Sequence, residues 1–537
     1  MRLATTETFQ TSRAFSHVIA ALVLIALAAP IVATLWFGIT TGGGSTWQHI
    51  LANRLLPYTL TTLSVLFQTG LMILLFAVPS AWLVSAYAFP GRKLFEWALI
   101  LPLAVPGYVM AYAWASLLNV AGPVQSAARG LTGLSARDMW FPDLFSTTGL
   151  SFVLATTLYP YVYLTARAAF TTQSLSTLEV ARSLGVSGWR LLVRIALPAA
   201  WPALIAGLAL ALMETAADYG AADHLGIQTL GVGIVRAWSS FGEPATAARL
   251  ALGLVSIMLL LLLVARLQRG PRGGQHTSSR WTTLTRTHLS GYAAWLAPAA
   301  LSAIFIVAFV VPIARLFWLS VEIGGGAWTI GEPLKNSILL AGAGTLLAFA
   351  ISVAALYGSR TLLAFAPPIR LATMAVYATP GAVLGLGGLL LMQNLGVSSG
   401  GSIAVGLLLW IYTCRFASAG IEPMTAALAR APASMSLAAR SLDPRPWHRF
   451  WTIDRPILMP GALAGGLILF VEILKELPAT LMLRPFGWDT LAVRAHAYAS
   501  DERLAEATTP ALLIVLAGLG PVILLSNRLA KAGTSSS

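Results

Sequence analysis

Cysteine and charge are what this 537-residue sequence has least of: one cysteine, and charged side chains at only 10% of positions. A lone Cys414 excludes a disulfide within the chain and any metal site built from cysteine pairs. It suits a small apolar packing position. Scarce charge excludes a soluble domain. With 57% hydrophobic residues and a mean hydropathy of +0.77, the chain carries more apolar surface than a soluble protein of this length can hide. No GxxxxGK(S/T) phosphate loop, HExxH or His/Cys cluster occurs. ATP hydrolysis by this chain and metal-dependent enzyme chemistry therefore find no motif.

What the sequence has instead is long apolar runs. Crossing a bilayer takes about 20 mostly apolar residues as a helix. Twelve segments stand out on hydropathy, near 17–37, 59–89, 95–118, 148–170, 198–218 and 246–266, then 292–319, 336–358, 369–393, 401–420, 457–479 and 507–527. They are continuous runs, not the short alternating segments of a barrel. The expected fold class is an all-α integral membrane protein of about twelve transmembrane helices in two parallel six-helix repeats. The first run is longer than a signal-peptide core and lacks a small-residue cleavage site, so it reads as a retained helix.

Lys and Arg number 34 against 20 Asp and Glu, a formal charge of +14. Most of the basic charge falls at the ends and in the even-to-odd loops. The positive-inside rule then places both termini and the 267–290 linker in the cytoplasm. A basic face toward anionic lipid accounts for the charge without nucleic acid.

The chain is duplicated. "EVARSLGVSGWRLLVRIALPAAWPALIAG" from Glu179 returns, without a gap and 258 positions later, as "LAARSLDPRPWHRFWTIDRPILMPGALAG" from Leu437. Trp189 falls on Trp447, Pro198 on Pro456, Gly207 on Gly465 and Glu214 on Glu472. With gaps, "APIVATLW" at Ala29 answers to "VPIARLFW" at Val311, and "VPGYVM" at Val105 to "TPGAVL" at Thr379. Parallel repeats of this kind pair two bundles around an axis along the membrane normal. Residues 266–288, basic and almost free of apolar runs, read as the cytoplasmic linker between them.

Each returning stretch is too polar to cross the membrane. Ser176 with Glu179 forms a capping box, Gly185 suits a helix C-cap, and "WRLLVRIA" continues as a second short helix before Pro198. A loop whose arginines bind lipid headgroups is the plainer reading. Repetition once per half fits docking on a two-fold partner better.

The pattern Glu-Ala-Ala, three residues, Gly, nine residues, Ile, one residue, Leu-Pro resembles the signature loop of binding-protein-dependent ABC importer permeases of type I. Glu179, Ala181, Gly185, Ile195, Leu197 and Pro198 supply it, with Val180 the one departure. In the second copy Ala438, Ala439, Ile453 and Pro456 fit, while Leu437, Asp443 and Arg455 depart. Asp443-Pro444 can still end a short helix.

The resemblance implies a multi-pass protein of the bacterial inner membrane whose two loops each couple to one copy of a separate cytoplasmic ATPase. ATP and Mg would sit on that ATPase and no cofactor on this chain, while a periplasmic binding protein delivers the substrate. The implied division is 1–54 with the first helix, 55–266 as the first permease core, and 267–330 as linker and seventh helix. The second core follows at 331–528, then a tail at 529–537.

Acidic pairs stand inside or at the outer end of the spans that follow the loops: Glu214 with Asp218, and Glu472 with Glu476. Each pair is spaced i,i+4 and shares a helix face. Charge at membrane depth marks a pathway or a buried ion pair, and Lys475 is in reach of Glu472 for the latter. Four carboxylates suit a hard cation better than an anion. His224 and His496 read as surface hydrogen-bonding residues rather than ligands, and no metal site is assigned. The segments "ETAADYGAADHLGIQTLGVGIVRAW" and "KELPATLMLRPFGWDTLAVRAHAYASDERLAEA" resemble fused ferric-iron permeases. Thiamine and polyamine permeases share the loop, and a proton-coupled secondary transporter is a competing class.

Overall fold

The computed structural model describes residues 2–172, 186, 188–268, 286–322, 330–361, 366–397, 400–429 and 450–534. The principal helices in chain order begin with α1 (Arg2–Thr40), α2 (Leu55–Ala86), α3 (Gly107–Leu118) and α4 (Thr147–Thr172). Next come α5 (Leu197–Ala217), α6 (Gly220–His224), α7 (Pro244–Gln268) and α8 (Val311–Glu322). The second half holds α9 (Gly331–Thr361), α10 (Ala366–Ala378), α11 (Gly381–Asn394) and α12 (Gly401–Ala429). It ends with α13 (Arg455–Leu474), α14 (Pro478–Leu483), α15 (Leu491–Ser500) and α16 (Leu504–Thr534). Among the described residues the only strands are Tyr87–Ala88 and Thr287–His288, which pair in parallel, so the all-α expectation stands.

Eight described helices are long and apolar enough to cross a membrane, and eleven spans result if each of three bent pairs counts as one. The remaining expected segment, 148–170, is helix α4, which falls outside that set. Its polarity has an internal outlet. Ser151 donates to the Thr147 carbonyl at 2.7 Å, Thr156 to Val153 at 2.6 Å and Thr157 to Leu154 at 2.9 Å, all from buried side chains. With these hydroxyls satisfied inside the helix, α4 can be buried against α2 and α5.

Among the described residues, three helices contain a widened, π-helical turn: Leu192–Ala196, Ile306–Val310 and Phe450–Asp454. Each ends two residues before a proline, Pro198, Pro312 or Pro456. Proline has no N–H for the carbonyl four residues back, and its ring crowds that carbonyl. The turn around it opens, and the Leu197 N–H reaches Leu192 while the Val311 N–H reaches Ile306, a five-residue step. The first and third turns stand at the same place in the two copies, so the local geometry is duplicated with the sequence.

Two compact units form, and neither is a half of the sequence. One gathers Met1–Gly44, Ile234–Leu252 and Ala327–Arg494, and the other Ser45–Gly233, Gly253–Gly326 and Ala495–Ser537. Within the second of these, the first core, α4 packs between α2 and α5, α6 packs on α3, and α8 and α16 pack together. Within the other, the second core, α12 packs on α9 and α13, α14 packs on α11, and α1 lies against α9, α10 and α11. Each core therefore carries the opening helix of the opposite sequence half. Close crossings repeat too: a Cβ at Gly207 would stand 3.1 Å from the Tyr161 carbonyl, and one at Gly465 would stand 3.3 Å from that of Gly420.

Candidate functional site

The signature loops lie mostly outside the described residues, which exclude Glu179, Ala181, Gly185, Ala438, Ala439 and Asp443. Their exits are described. Ile195 and Ile453 sit in the paired widened turns, and Pro198 and Pro456 open the helices that follow. The root of the first loop is anchored by ionic contacts. Glu96 pairs with Arg92 and, at 3.4 Å, with Arg167 near the end of α4. Arg167 also donates to the Glu96 carbonyl at 3.2 Å, so the last turns of α4 are tied to the 92–98 helix.

Farther along, both cores break a span at a Pro-Gly step. The helices meeting there bend by 94° at Pro106-Gly107 and by 107° at Pro380-Gly381. Pro106 and Pro380 hold nearly the same extended backbone, φ −60° ψ 146° and φ −58° ψ 145°. An acid occupies each notch. Asp218 accepts from the Ala221 and Ala222 amides at 2.8 and 3.4 Å, and Glu476 accepts from the Ala479 amide at 3.1 Å. Each carboxylate thus satisfies the free amides at the start of a short helix, α6 or α14.

Gly107 leaves room for this arrangement: a Cβ there would stand 2.7 Å from Asp218 Oδ2 and 3.0 Å from Leu154 Cδ2. At Gly381 a Cβ would run into the Glu476 carboxylate and the Arg415 guanidinium. Gly107→Val is expected to destabilise the protein by about 1–3 kcal/mol through overpacking, read as a lowered Tm of the purified protein. An unchanged Tm would show that the carboxylate does not fill the notch.

The four acids thus differ in company. Glu476 faces Arg415 at 3.4 Å with both side chains nearly buried, and Lys475 pairs with Glu472 at 2.7 Å. Asp218 rests on backbone amides, and Glu214 is half-buried on α5. Among the described residues, no three His, Cys, Asp or Glu gather as a metal site.

The two histidines depart from the surface reading. His496 is only 5% exposed. Its Nδ1 stands 3.0 Å from the Tyr112 hydroxyl and its Nε2 3.7 Å from Asp223 Oδ2. The Tyr219 hydroxyl donates to the same Asp223 oxygen at 3.2 Å. His224 packs edge-on to Tyr112 with ring centroids 4.6 Å apart, and burial pushes its imidazole down to about 4, so it is neutral at physiological pH. Tyr112, Tyr219 and Arg415 carry this chemistry and were not singled out in the sequence. Arg415, a charge inside an expected span, had a readable signal. The tyrosines had none, since an aromatic in an apolar run is ordinary.

Apolar helices, two spans broken at Pro-Gly steps and a carboxylate set in each break define a polytopic helical membrane protein of transport type. The chain belongs to the binding-protein-dependent transport system inner membrane components, a family whose pattern it matches over residues 83–270. It is a permease subunit of an ABC importer, a class that works with an ATPase and a binding protein and is not itself an enzyme. It is 26% identical over 455 residues to the Fe(3+)-transport system permease protein FbpB 2 of Haemophilus influenzae, covering 83% of this chain and 85% of that one. The molybdenum transport system permease protein ModB of Escherichia coli is 32% identical over 177 residues, 33% of this chain and 69% of that protein. The sulfate transport system permease protein CysT of Escherichia coli is 25% identical over 228 residues, 41% and 79% of the two chains.

Proposed function

We infer that this chain forms the translocation pathway of a ferric-iron importer. The observation that carries the reading is coverage: the similarity to the Fe(3+) permease runs through 83% of the chain, against 41% for the sulfate permease and 33% for the molybdenum permease. Carboxylates at the broken spans support a cation rather than an oxyanion, which prefers cationic groups and helix N-termini.

In this reading Glu214, Asp218, Glu472 and Glu476 belong to the pathway, and the sequence divisions 55–266 and 331–528 each supply most of one permease core. The loops around Gly185 and Asp443 each seat one copy of a cytoplasmic ATPase, which alone holds ATP and Mg. Closure of that ATPase moves the bundles as rigid bodies. Both termini are cytoplasmic, the chain binds no cofactor, and a periplasmic binding protein docks on the outer segments around 221–244 and 483–506.

Identification of the ligand on the cognate binding protein tests the substrate. Iron is expected, and sulfate, molybdate, thiamine or a polyamine in its place overturns the assignment. The double variant Glu214→Ala with Glu472→Ala is expected to abolish uptake of labelled iron while the complex still assembles. Normal uptake in that variant removes these acids from the pathway.

A further inference from the structure

A buried polar cluster in the first core has no counterpart in the second, and the fold does not demand it. Helices α6 and α14 begin at equivalent positions of the repeat. In that register Tyr219, Asp223 and His224 answer to Leu477, Leu481 and Met482. In the register of the Pro-Gly breaks, Tyr108 and Tyr112 answer to Ala382 and Leu386. The second core packs the same short helix on the same broken span, α14 on α11, with apolar side chains at all five places. Burying polar groups is costly where leucine serves the same packing, so these residues answer to something other than the fold.

Their donors converge. Asp223 Oδ2 is 3.2 Å from the Tyr219 hydroxyl and 3.7 Å from His496 Nε2. Two ligands about 2.1 Å from one ion stand roughly 3.0 Å apart at a right angle and about 3.4 Å apart at the tetrahedral angle. The phenol stands within that range of the carboxylate and the imidazole a few tenths of an ångström beyond it, so small side-chain shifts would bring both onto an ion held by Asp223. The Tyr112 hydroxyl engages the other His496 nitrogen at 3.0 Å, the contact that fixes a ligating imidazole's plane and tautomer. The Asp223 side chain is 19% exposed and that of His496 7%, so the cluster opens on its carboxylate side.

We propose that Tyr219, Asp223 and His496 form a transit site for a hard trivalent cation, with Tyr112 as the positioning residue for His496. The proposal rests on the iron-import reading for the identity of that cation. Phenolate and carboxylate oxygens are hard donors, and imidazole also ligates iron. On binding, the Tyr219 O–H bond breaks, its proton passes to water and the phenolate oxygen bonds the metal. No electron is transferred. The site would lie in one core alone, where the sequence duplication is broken.

The test uses the full-length permease in lipid nanodiscs, with Fe(III) supplied as its nitrilotriacetate complex. A visible tyrosinate-to-iron charge-transfer band is expected, saturating at one iron per chain and lost in Tyr219→Phe. Tyr112→Phe keeps the ligands but loses the orienting contact, and its affinity should fall about tenfold or more. Tyr159→Phe, at a buried tyrosine elsewhere in this core, should leave the band unchanged. Absence of the band in the wild-type protein overturns the proposal, as does a band that Tyr219→Phe leaves intact. If Tyr219→Phe fails to fold, the isosteric Asp223→Asn must weaken the band instead, and an unchanged affinity there overturns the site. Cellular iron uptake without the band removes the site alone. A band in a system whose binding protein carries another substrate removes the import reading and leaves the site.

Discussion

Replacing Glu476 with alanine is expected to cost about 3 kcal/mol of stability, the scale for removing one partner of a buried ion pair. Its side chain is 5% exposed and that of Arg415, 3.4 Å away, 11% exposed. The variant takes the facing carboxylate from Arg415 and the acceptor from the Ala479 amide. The equivalent acid in the first core, Asp218, has no such partner, because Thr157 stands where Arg415 does in the repeat. Asp218→Ala removes an amide cap alone and should cost about 1 kcal/mol. Thermal unfolding of both variants in the same detergent decides between these outcomes. Equal losses would mean that the Arg415 contact contributes nothing. Replacing Arg415 and Glu476 together by methionine should recover much of the loss, since the uncompensated charge is then gone.

The largest functional loss is expected at the first loop. Gly185→Trp replaces the glycine of the signature pattern, which the sequence suits to a helix C-cap because glycine adopts a left-handed backbone at little cost. Substrate uptake should vanish while the permease still inserts and retains its Tm. The corresponding change in the second loop, Asp443→Trp, should be milder, because that copy already departs from the pattern at Leu437, Asp443 and Arg455. Uptake rates from proteoliposomes loaded with ATP and the partner ATPase measure both. Uptake that survives Gly185→Trp, or that survives an ATPase unable to hydrolyse ATP, ends the coupling reading.

Much of the architecture is legible along the chain because it depends on near neighbours. Apolar runs mark the spans, and prolines 198, 312 and 456 place the widened turns, since the missing N–H and the crowded carbonyl are four residues apart. The spans 95–118 and 369–393 read as continuous, and the structure breaks them at Pro106-Gly107 and Pro380-Gly381, where a proline that lacks an N–H stands beside a glycine. Helix α4 was visible as a segment but not as an unusually polar one, because its hydroxyls bond its own preceding turn.

The sequence by itself determined the membrane class, the duplication with its 258-residue register, and the spacing of an acidic pair in the span after each loop. Only the tertiary structure decided what those acids meet. Arg415 lies 61 positions from Glu476, and Tyr112 lies 384 positions from His496, separations across which no periodicity carries information. The grouping of each opening helix with the other half's core was likewise invisible. An apolar helix face specifies that it will be covered, because burial is non-directional, but not by which part of the chain.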